Sequence, residues 1–245
     1  MLYPTLSNFY NSFKQSGVGK AYRGGVEKME NSEYRKLIDD ARAYNQKLAK
    51  KLDRYHMTDK EREEYKAHLS VRDSEVIGFI EIPKIGIDLP IYLGVEERVL
   101  QVGIGHLEGT SLPVGGENTH TALTGHTGLP SSKLLSDVSK LKVGDNFIIK
   151  VLDEIYTYKV DQILVVNPGE MEALEIEEGA DMATLVTCTP YGINTHRLLI
   201  RGSRTPNAKE SEDAIQVVKP IAEMIILLIF APYLLFRHRK SKKRS

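Results

Sequence analysis

From Val76 onward the sequence is a succession of short β-branched segments, and this pattern constrains the fold more than any other feature of the chain. Apolar and polar residues often alternate in these segments, and proline or Gly-Asp turn signals divide them. They read IGFIEIPKIGIDLPIYLG, HTALTGH, DNFIIKVLDEIYTYKVDQILVV, ATLVTCT and HRLLIRGS. Because no long helix separates one segment from the next, we predict an antiparallel-rich barrel or sandwich.

Residues 27–70 have a helical pattern instead. They contain neither glycine nor proline and are rich in strong helix formers. The tetrapeptide TDKE predicts a helix that begins at Thr58, with Thr58 as the N-cap and Glu61 completing a capping box. Upstream of it, apolar side chains recur mostly at spacings of three and four, which predicts an amphipathic helix packed on another element. These side chains are Met29, Tyr34, Leu37, Ala41, Tyr44, Leu48 and Leu52.

The charge of the chain is unevenly distributed. Lys plus Arg and Asp plus Glu number 33 each, but the last nine residues, RHRKSKKRS, hold six of the basic ones and leave 27 basic against 33 acidic residues in the body. A mildly acidic body gives no sign of nucleic-acid binding. The single cysteine excludes an internal disulfide, so its thiol is either a small buried hydrophobe or a reactive group.

An apolar stretch at residues 221–236 precedes the basic tail. We predict a transmembrane helix over residues 217–236, with a buried terminal helix or an interfacial helix as the alternative. The positive-inside rule then places the tail, residues 237–245, in the cytoplasm and the body outside, joined by a polar linker at residues 206–216. No signal peptide precedes the body, so we expect either that an N-terminal membrane segment has been trimmed or that this topology is wrong.

Cys188 ends a β-branched run, and its sequence neighbours suggest chemistry. His120 and His126 lie in THTALTGHTGLP, where His126 ends a strand before a Gly-Pro loop and can face a groove. Arg197 follows Cys188 by nine residues across the turn TPYGIN, so two antiparallel strands would bring these side chains together. A cysteine nucleophile needs a base or a positive neighbour, and a cation can hold a developing oxyanion. From spacing alone this set is suggestive rather than specific, and an arginine such as Arg197 is by itself more often a satisfied strand-end charge.

Four stretches resemble the class C, pilus-assembling sortases of Gram-positive bacteria, over roughly residues 2–205. TLVTCTPYGINTHRLLIRG fits the family pattern of TLxTC followed by an arginine on the next strand, and GHLEGTSLPVGGENTHTALTGHTGLP fits its catalytic-histidine region. IGFIEIPKIGIDLPIYLG fits the entry into its barrel, and LYPTLSNFYNS fits its opening. The resemblance implies a mainly β fold with flanking helices, a closed eight-stranded sortase-type β-barrel. It also implies Cys188 as nucleophile, His126 as catalytic histidine and Arg197 as the arginine.

The same resemblance implies a transpeptidase without a cofactor. Cys188 would attack the Thr carbonyl of an LPxTG-like sorting signal, cleave between Thr and Gly, and pass the acyl group from a thioester to a Lys amine of another pilin. The implied partners are pilins with such signals and acceptor lysines, and the membrane, with the catalytic domain on the extracellular face. A membrane-tethered pilin-binding scaffold without catalysis, and a cysteine protease that releases free carboxylate, stay open as alternatives.

The chain departs from the family pattern at two places. Many class C sortases carry an Asp-Pro-aromatic lid tripeptide before the barrel, whereas this chain reads KLDRYHMTDKE. Asp53, Tyr55 and Met57 are possible substitutes, but we expect an ordinary helix–helix connection and a weak lid or none. Relatives commonly place an arginine where this chain has Thr127, and the resemblance assigns no role to Thr127.

We expect no metal site. His120, His126, His196 and Cys188 offer nitrogen and sulfur ligands, but their spacing matches no common zinc pattern. Strand alternation should also turn His196 away from the face of Arg197. EALEIEEGADMA could bind calcium as in some other sortases, but we expect a solvated loop. The predicted organisation is a helical region with the lid position (1–73), a catalytic barrel (74–205), a linker (206–216), a transmembrane helix (217–236) and a basic tail (237–245).

Overall fold

The structure, a computed structural model, describes residues 17–71, 74–127 and 134–207. Its described part contains the strands β1 (Val76–Ile82), β2 (Ile87–Leu93), β3 (Ile104–His106), β4 (Thr119–Thr124), β5 (Asn146–Val151), β6 (Glu154–Val166), β7 (Asp181–Thr189) and β8 (His196–Thr205). They close into a barrel in the order β1-β2-β3-β4-β7-β8-β6-β5. The pairs β2–β3 and β4–β7 are parallel, and the other neighbours are antiparallel. The predicted closed, antiparallel-rich, eight-stranded barrel is confirmed.

Helices precede the barrel in the chain and occur in one of its connections. They are α1 (17–26 within the described part), α2 (Asn31–Leu48), α3 (Asp59–Lys66) and α4 (Glu97–Leu100), with 3₁₀ turns at Pro83–Ile85, Val138–Lys140 and Glu172–Leu174. The predicted start of α3 is confirmed, because the Thr58 side chain accepts from the backbone N–H of Glu61 and the Glu61 carboxylate accepts from that of Thr58. The predicted amphipathic helix is confirmed in α2, whose buried face consists of Ile38, Ala41, Tyr44, Asn45 and Leu48.

The prediction for Leu52 is wrong, because this side chain is fully exposed. α2 ends at Leu48, with Ala49 as its C-cap, and residues 52–55 form turns. Once the helix has ended, its 3.6-residue period no longer determines which side chains face the barrel. Residues 49–58 connect α2 to α3.

Two buried polar side chains fasten the first helices to barrel backbone. Asn45 of α2 donates from its amide to the Leu112 carbonyl at 2.9 Å and accepts from the Leu112 N–H at 2.7 Å. The Tyr22 hydroxyl on α1 donates to the Ile77 carbonyl at 3.1 Å and accepts from the Leu152 N–H at 2.8 Å. Each contact satisfies barrel backbone groups that would otherwise be buried without a partner.

α3 contributes a third such contact through Tyr65, which is fully buried. Its hydroxyl lies 2.8 Å from His106 Nδ1 and accepts from the Gly94 N–H at 3.0 Å. His106 Nε2 lies 2.8 Å from the Ser111 carbonyl oxygen, so both ring nitrogens have partners. Complete burial lowers the pKa of His106 to about 4, which keeps the ring neutral at physiological pH.

The outer face of β7 and β8 carries the candidate site. Ala183 and Leu185 on β7, like Leu198 and Ile200 on β8, belong to the buried core. Because successive side chains on a strand point to opposite faces, the alternate residues of β7 and β8 face outward. When this alternation is continued from Leu185, Cys188 also faces outward.

The predicted C-terminal membrane helix, residues 217–236, lies outside the described residues. Within the ranges that the structure describes, no helix has the length and apolar character needed to cross a bilayer. The described residues up to Thr205 belong to one compact unit, so helices and barrel are not separated into two units.

Candidate active site

Cys188 lies on β7, one residue before the strand ends at Thr189. Its thiol is free and its side chain is half-buried. Alternation from the core residue Leu185 places the thiol on the outer face of the barrel, beside the turn that leads into β8. A nucleophile in this place can be approached from outside while the strand holds its backbone fixed.

Arg197 lies directly opposite Cys188 in the antiparallel register of β7 and β8. Residues paired in this way present their side chains on the same face, with Cβ atoms about 5 Å apart. The Arg197 guanidinium donates through Nη1 to the carbonyl oxygens of Asn194 at 3.3 Å and His196 at 3.1 Å. The turn backbone therefore holds this cation next to the thiol-bearing strand end.

His126 approaches Cys188 from the other side of β7. β4 and β7 are parallel, with Thr124 paired to Val186, and the Gly125 N–H continues the ladder by donating to the Val186 carbonyl at 3.2 Å. His126 follows Gly125 directly, two residues after β4 ends at Thr124, and Cys188 lies two residues after Val186 on β7. The sheet order thus places the cysteine between the histidine and the arginine.

The His126 ring is 28% exposed, and its Nε2 atom lies 3.5 Å from Oε2 of Glu97 on α4. This distance is within ion-pair range, but Nε2 makes no hydrogen bond to the described residues. Gln101 donates to the other carboxylate oxygen of Glu97 and, together with the nearby His126 ring, lowers the pKa of Glu97. A fixed negative charge therefore faces the ring of His126.

Thr127 joins the histidine segment to the cysteine strand. Its hydroxyl lies 2.9 Å from the Cys188 carbonyl oxygen and 2.7 Å from the hydroxyl of Thr187. The Thr187 hydroxyl in turn donates to the Gly125 carbonyl at 2.8 Å. The sequence marked Thr127 only as a departure from a family pattern, and no periodicity or motif indicated this contact.

His120, the other histidine of the same segment, is buried and has both ring nitrogens occupied. Nδ1 lies 2.8 Å from the Glu175 carbonyl oxygen and Nε2 lies 2.7 Å from the hydroxyl of Thr184. Burial lowers the pKa of His120. His196 is exposed and pairs with Thr189, one position away from the Cys188–Arg197 pair and therefore on the opposite face. In the described ranges, no three His, Cys, Asp or Glu side chains gather as metal ligands.

The three residues weighed as lid substitutes have contacts elsewhere. Asp53 pairs with His56 on the surface, and Met57 packs against the core. The Tyr55 hydroxyl lies 3.4 Å from the Leu174 carbonyl oxygen. Arg54, between Asp53 and Tyr55 in the sequence, is buried. Sequence reasoning missed it, since a lone arginine in a polar connection carries no periodic signal.

A half-buried thiol between a histidine and an arginine on adjoining strands defines a candidate site for cysteine-based acyl chemistry. The sortase domain model matches residues 80–205, which is more than half of the chain, and the chain belongs to the sortase family. This confirms the enzyme class predicted from the sequence.

The chain is similar to solved structures of class C sortases. Sortase C1 of Streptococcus agalactiae is 51% identical with a TM-score of 0.75, over 77% of this chain and 97% of that one. Sortase C of Streptococcus pneumoniae, whose structure is described in relation to catalysis and pilin substrate specificity, is 46% identical with a TM-score of 0.70 over 77% and 96%. Clostridium perfringens sortase C, solved with a C-terminal cell wall sorting motif, is 44% identical with a TM-score of 0.68 over 77% and 97%. The resemblance to class C sortases is thereby confirmed.

More distant curated relatives are matched only in part. Sortase A of Bacillus anthracis is 31% identical over 56% of this chain, and the chain spans 63% of that protein. Sortase A of Streptococcus agalactiae is 35% identical over 46% of this chain, which spans 47% of it.

Proposed function

We propose that this chain is a cysteine transpeptidase that cleaves an LPxTG-like sorting signal between Thr and Gly and transfers the acyl group to a pilin Lys amine, polymerising pili. Cys188 is the nucleophile, Arg197 holds the oxyanion and His126 moves the proton. The observation that carries the proposal is the strand register, which pairs Cys188 with Arg197 on one side of β7 and pairs the other side of β7 with β4, the strand that ends two residues before His126.

In the first half-reaction the Cys188 thiolate attacks the Thr carbonyl carbon, and the carbonyl oxygen becomes an oxyanion. Arg197 lies opposite on the same face, where its guanidinium can hold this charge. As the C–N bond to Gly breaks, the imidazolium of His126 gives its proton to the departing amine. The products are a Cys188 thioester and a free N-terminal glycine.

The second half-reaction reverses these roles. A Lys ε-amine attacks the thioester carbonyl, His126 takes a proton from the amine, and Arg197 again holds the oxyanion. The C–S bond breaks, the thiolate returns and an isopeptide bond remains. The position of Cys188 on the outer face supports transfer to a large acceptor, because a protein-borne lysine must reach the thioester from outside.

Pilins as partners are supported by two relatives, one described for pilin substrate specificity and one solved with a sorting motif. We place the protein in the cell membrane with its catalytic unit on the extracellular face. The apolar stretch and basic tail at the C-terminus support this placement, since a positive flank favours the cytoplasmic side.

The test is intact-mass spectrometry of the full chain in mild detergent after incubation with an LPxTG-type peptide, with Cys188→Ala in parallel. We expect a mass increase equal to the acyl part of the peptide, absent in the variant, and loss of this adduct with appearance of joined product when a Lys-bearing pilin fragment is added. Release of free carboxylate regardless of added amine would indicate a protease. Equal peptide binding by both proteins without any adduct would indicate a scaffold.

A further inference from the structure

Arg54, in the connection between α2 and α3, reaches into the loop between β6 and β7, residues 167–180. The side chain is 7% exposed, and its Nη1 lies 2.9 Å from Oε2 of Glu175. Nη2 donates to the Leu174 carbonyl at 3.1 Å, and the guanidinium stacks on the Tyr55 ring at 4.8 Å from its centroid. A residue of the helical region thus holds two consecutive residues of a barrel loop.

The same point of the loop is held from the barrel side. His120 on β4 lies 2.8 Å from the Glu175 carbonyl oxygen through Nδ1, and its Nε2 bonds to Thr184 on β7. Glu175 is therefore fixed through its carboxylate by Arg54 and through its backbone by His120. Because His120 and Thr184 face outward, the loop crosses the outer face of the barrel at the His120 ring, which also contacts Thr184.

Close backbone packing fixes the position of the α2–α3 connection on the barrel. Gly109, in the β3–β4 connection, has a φ of +85°, and a Cβ there would lie 2.6 Å from the Arg54 carbonyl oxygen. A side chain at this position would displace the connection, so glycine permits the close approach. Arg54 is therefore held near the loop by the backbone contact with Gly109 as well as by the ion pair with Glu175.

The distance from Cys188 to the loop can be compared with the length of a sorting signal. From Cys188 back to Thr184 is four residues of β7, or about 13 Å. In an extended LPxT segment with its Thr at the thiol, the Leu lies three residues upstream, about 10 Å away. If the peptide follows β7, its Leu-Pro end therefore comes to the place where Leu174 and Glu175 cross the outer face.

We propose that Arg54 is a positioning residue for sorting-signal recognition: it fastens Leu174 and Glu175 against the outer face, so that the loop is preformed to bind the upstream residues of the signal. The inference rests on the proposed function and deepens it. The segment at the lid position then supports the binding loop, a role distinct from acylation itself.

The exposure of the ion pair favours this role over a general stabilising one. The Arg54 side chain is buried but the Glu175 side chain is 56% exposed, so the cost of desolvating the guanidinium is offset only in part and the pair contributes little net stability. Arg54 Nε has no hydrogen-bond partner among the described residues, so the burial is incompletely compensated. An apolar replacement of similar length, Arg54→Met, should therefore leave the protein folded while it loosens the loop.

The experiment compares the full-length wild type, Arg54→Met and Arg62→Met in acylation by an LPxTG-type peptide. Arg62 is the matched control because it also joins the helical region to the barrel, through Glu108 at 3.1 Å, but outside the β6–β7 loop. We expect Arg54→Met to raise KM about tenfold, corresponding to loss of one favourable contact, with kcat within about twofold. Arg62→Met should leave both constants unchanged.

Hydrogen exchange supplies a readout that does not need activity. We expect faster amide exchange in residues 170–178 of Arg54→Met and unchanged exchange in β7 and β8. Unchanged exchange in the loop, or an unchanged KM, would overturn the inference. A wild type that forms no thioester would count against the proposed function instead, and the exchange data would still decide whether Arg54 holds the loop.

Discussion

The two ends of the β4–β7 strand pair differ in how fully their polar groups are bonded. At the end where these strands begin, the Asp181 carboxylate accepts from the Gly116 N–H and the Tyr158 hydroxyl, both at 2.9 Å, and His120 has a partner on each ring nitrogen. At the other end, among residues 17–71, 74–127 and 134–207, His126 Nε2 has only the distant carboxylate of Glu97 as a partner, and the Cys188 thiol is free. One pair of strands thus carries a saturated, structural end and an unsaturated end whose groups remain available for chemistry.

The largest effect should come from the unsaturated end. We expect Arg197→Gln to lower kcat for acylation about 10²- to 10³-fold, as removal of an oxyanion-stabilising group does elsewhere. Arg201→Gln is the control, since Arg201 is on the same face of β8 but is paired with Asp161 and Glu177, and its kcat should change less than about threefold. Single-turnover experiments measure the acylation rate of both variants. Equal losses of kcat in the two would show that Arg197 has no special role in the reaction.

The buried histidines should make stability depend on pH. His106 has a folded pKa of about 4, whereas an unfolded histidine titrates near 6.5, so the unfolded chain binds more protons between these values. We expect the free energy of unfolding to lose about 3 kcal/mol from this residue as the pH falls from 7 to 4. Burial lowers the pKa of His120 as well, which adds to the loss in the same direction.

Urea titrations of the wild type and His106→Gln at several pH values measure this effect. The variant should be less stable at pH 7 but lose less stability on acidification, because it lacks the group that the unfolded chain protonates. Parallel pH curves for the two proteins would show that His106 does not contribute.

His120 tests the saturated end directly. We expect His120→Ala to lower the free energy of unfolding by about 2 kcal/mol, because it removes buried atoms and leaves Glu175 and Thr184 without their partners. His196→Ala, at an exposed position, should change it by less than about 0.5 kcal/mol. Denaturant unfolding measures the free energy of unfolding of both variants. Similar small losses of stability in His120→Ala and His196→Ala would mean that His120 is not structural.

The smallest expected effect concerns the link between His126 and Cys188. Thr127→Val removes the hydroxyl near the Cys188 carbonyl and should cost about 1 kcal/mol, seen as a several-fold lower kcat with little change in melting temperature. Thr127→Ser keeps the hydroxyl and should retain wild-type kcat. Equal activity of the valine and serine variants would exclude a positioning role for this hydrogen bond.

Sequence patterns predicted a strand-rich barrel or sandwich because the strands are β-branched and divided by turn residues, and the family resemblance narrowed this to a closed eight-stranded barrel. β3, only three residues long, has too short a pattern to be recognised, although it joins β2 to β4 in the barrel. Cys188 and Arg197 were placed together because one turn sets their register. Arg54 and Glu97 could not be predicted, since their contacts join elements far apart in the chain and no local periodicity records them.

The side chains of Tyr22, Asn45 and Tyr65 have a consequence for protein engineering. Each completes backbone hydrogen bonding of the barrel from a helix that precedes it, at Ile77 and Leu152, at Leu112, and at Gly94. Excision of the chain before residue 74 would leave these amides and carbonyls unpaired and uncover the apolar surface around them. The barrel is therefore not a transplantable module, and any shortened catalytic fragment should retain the helices from residue 17 onward.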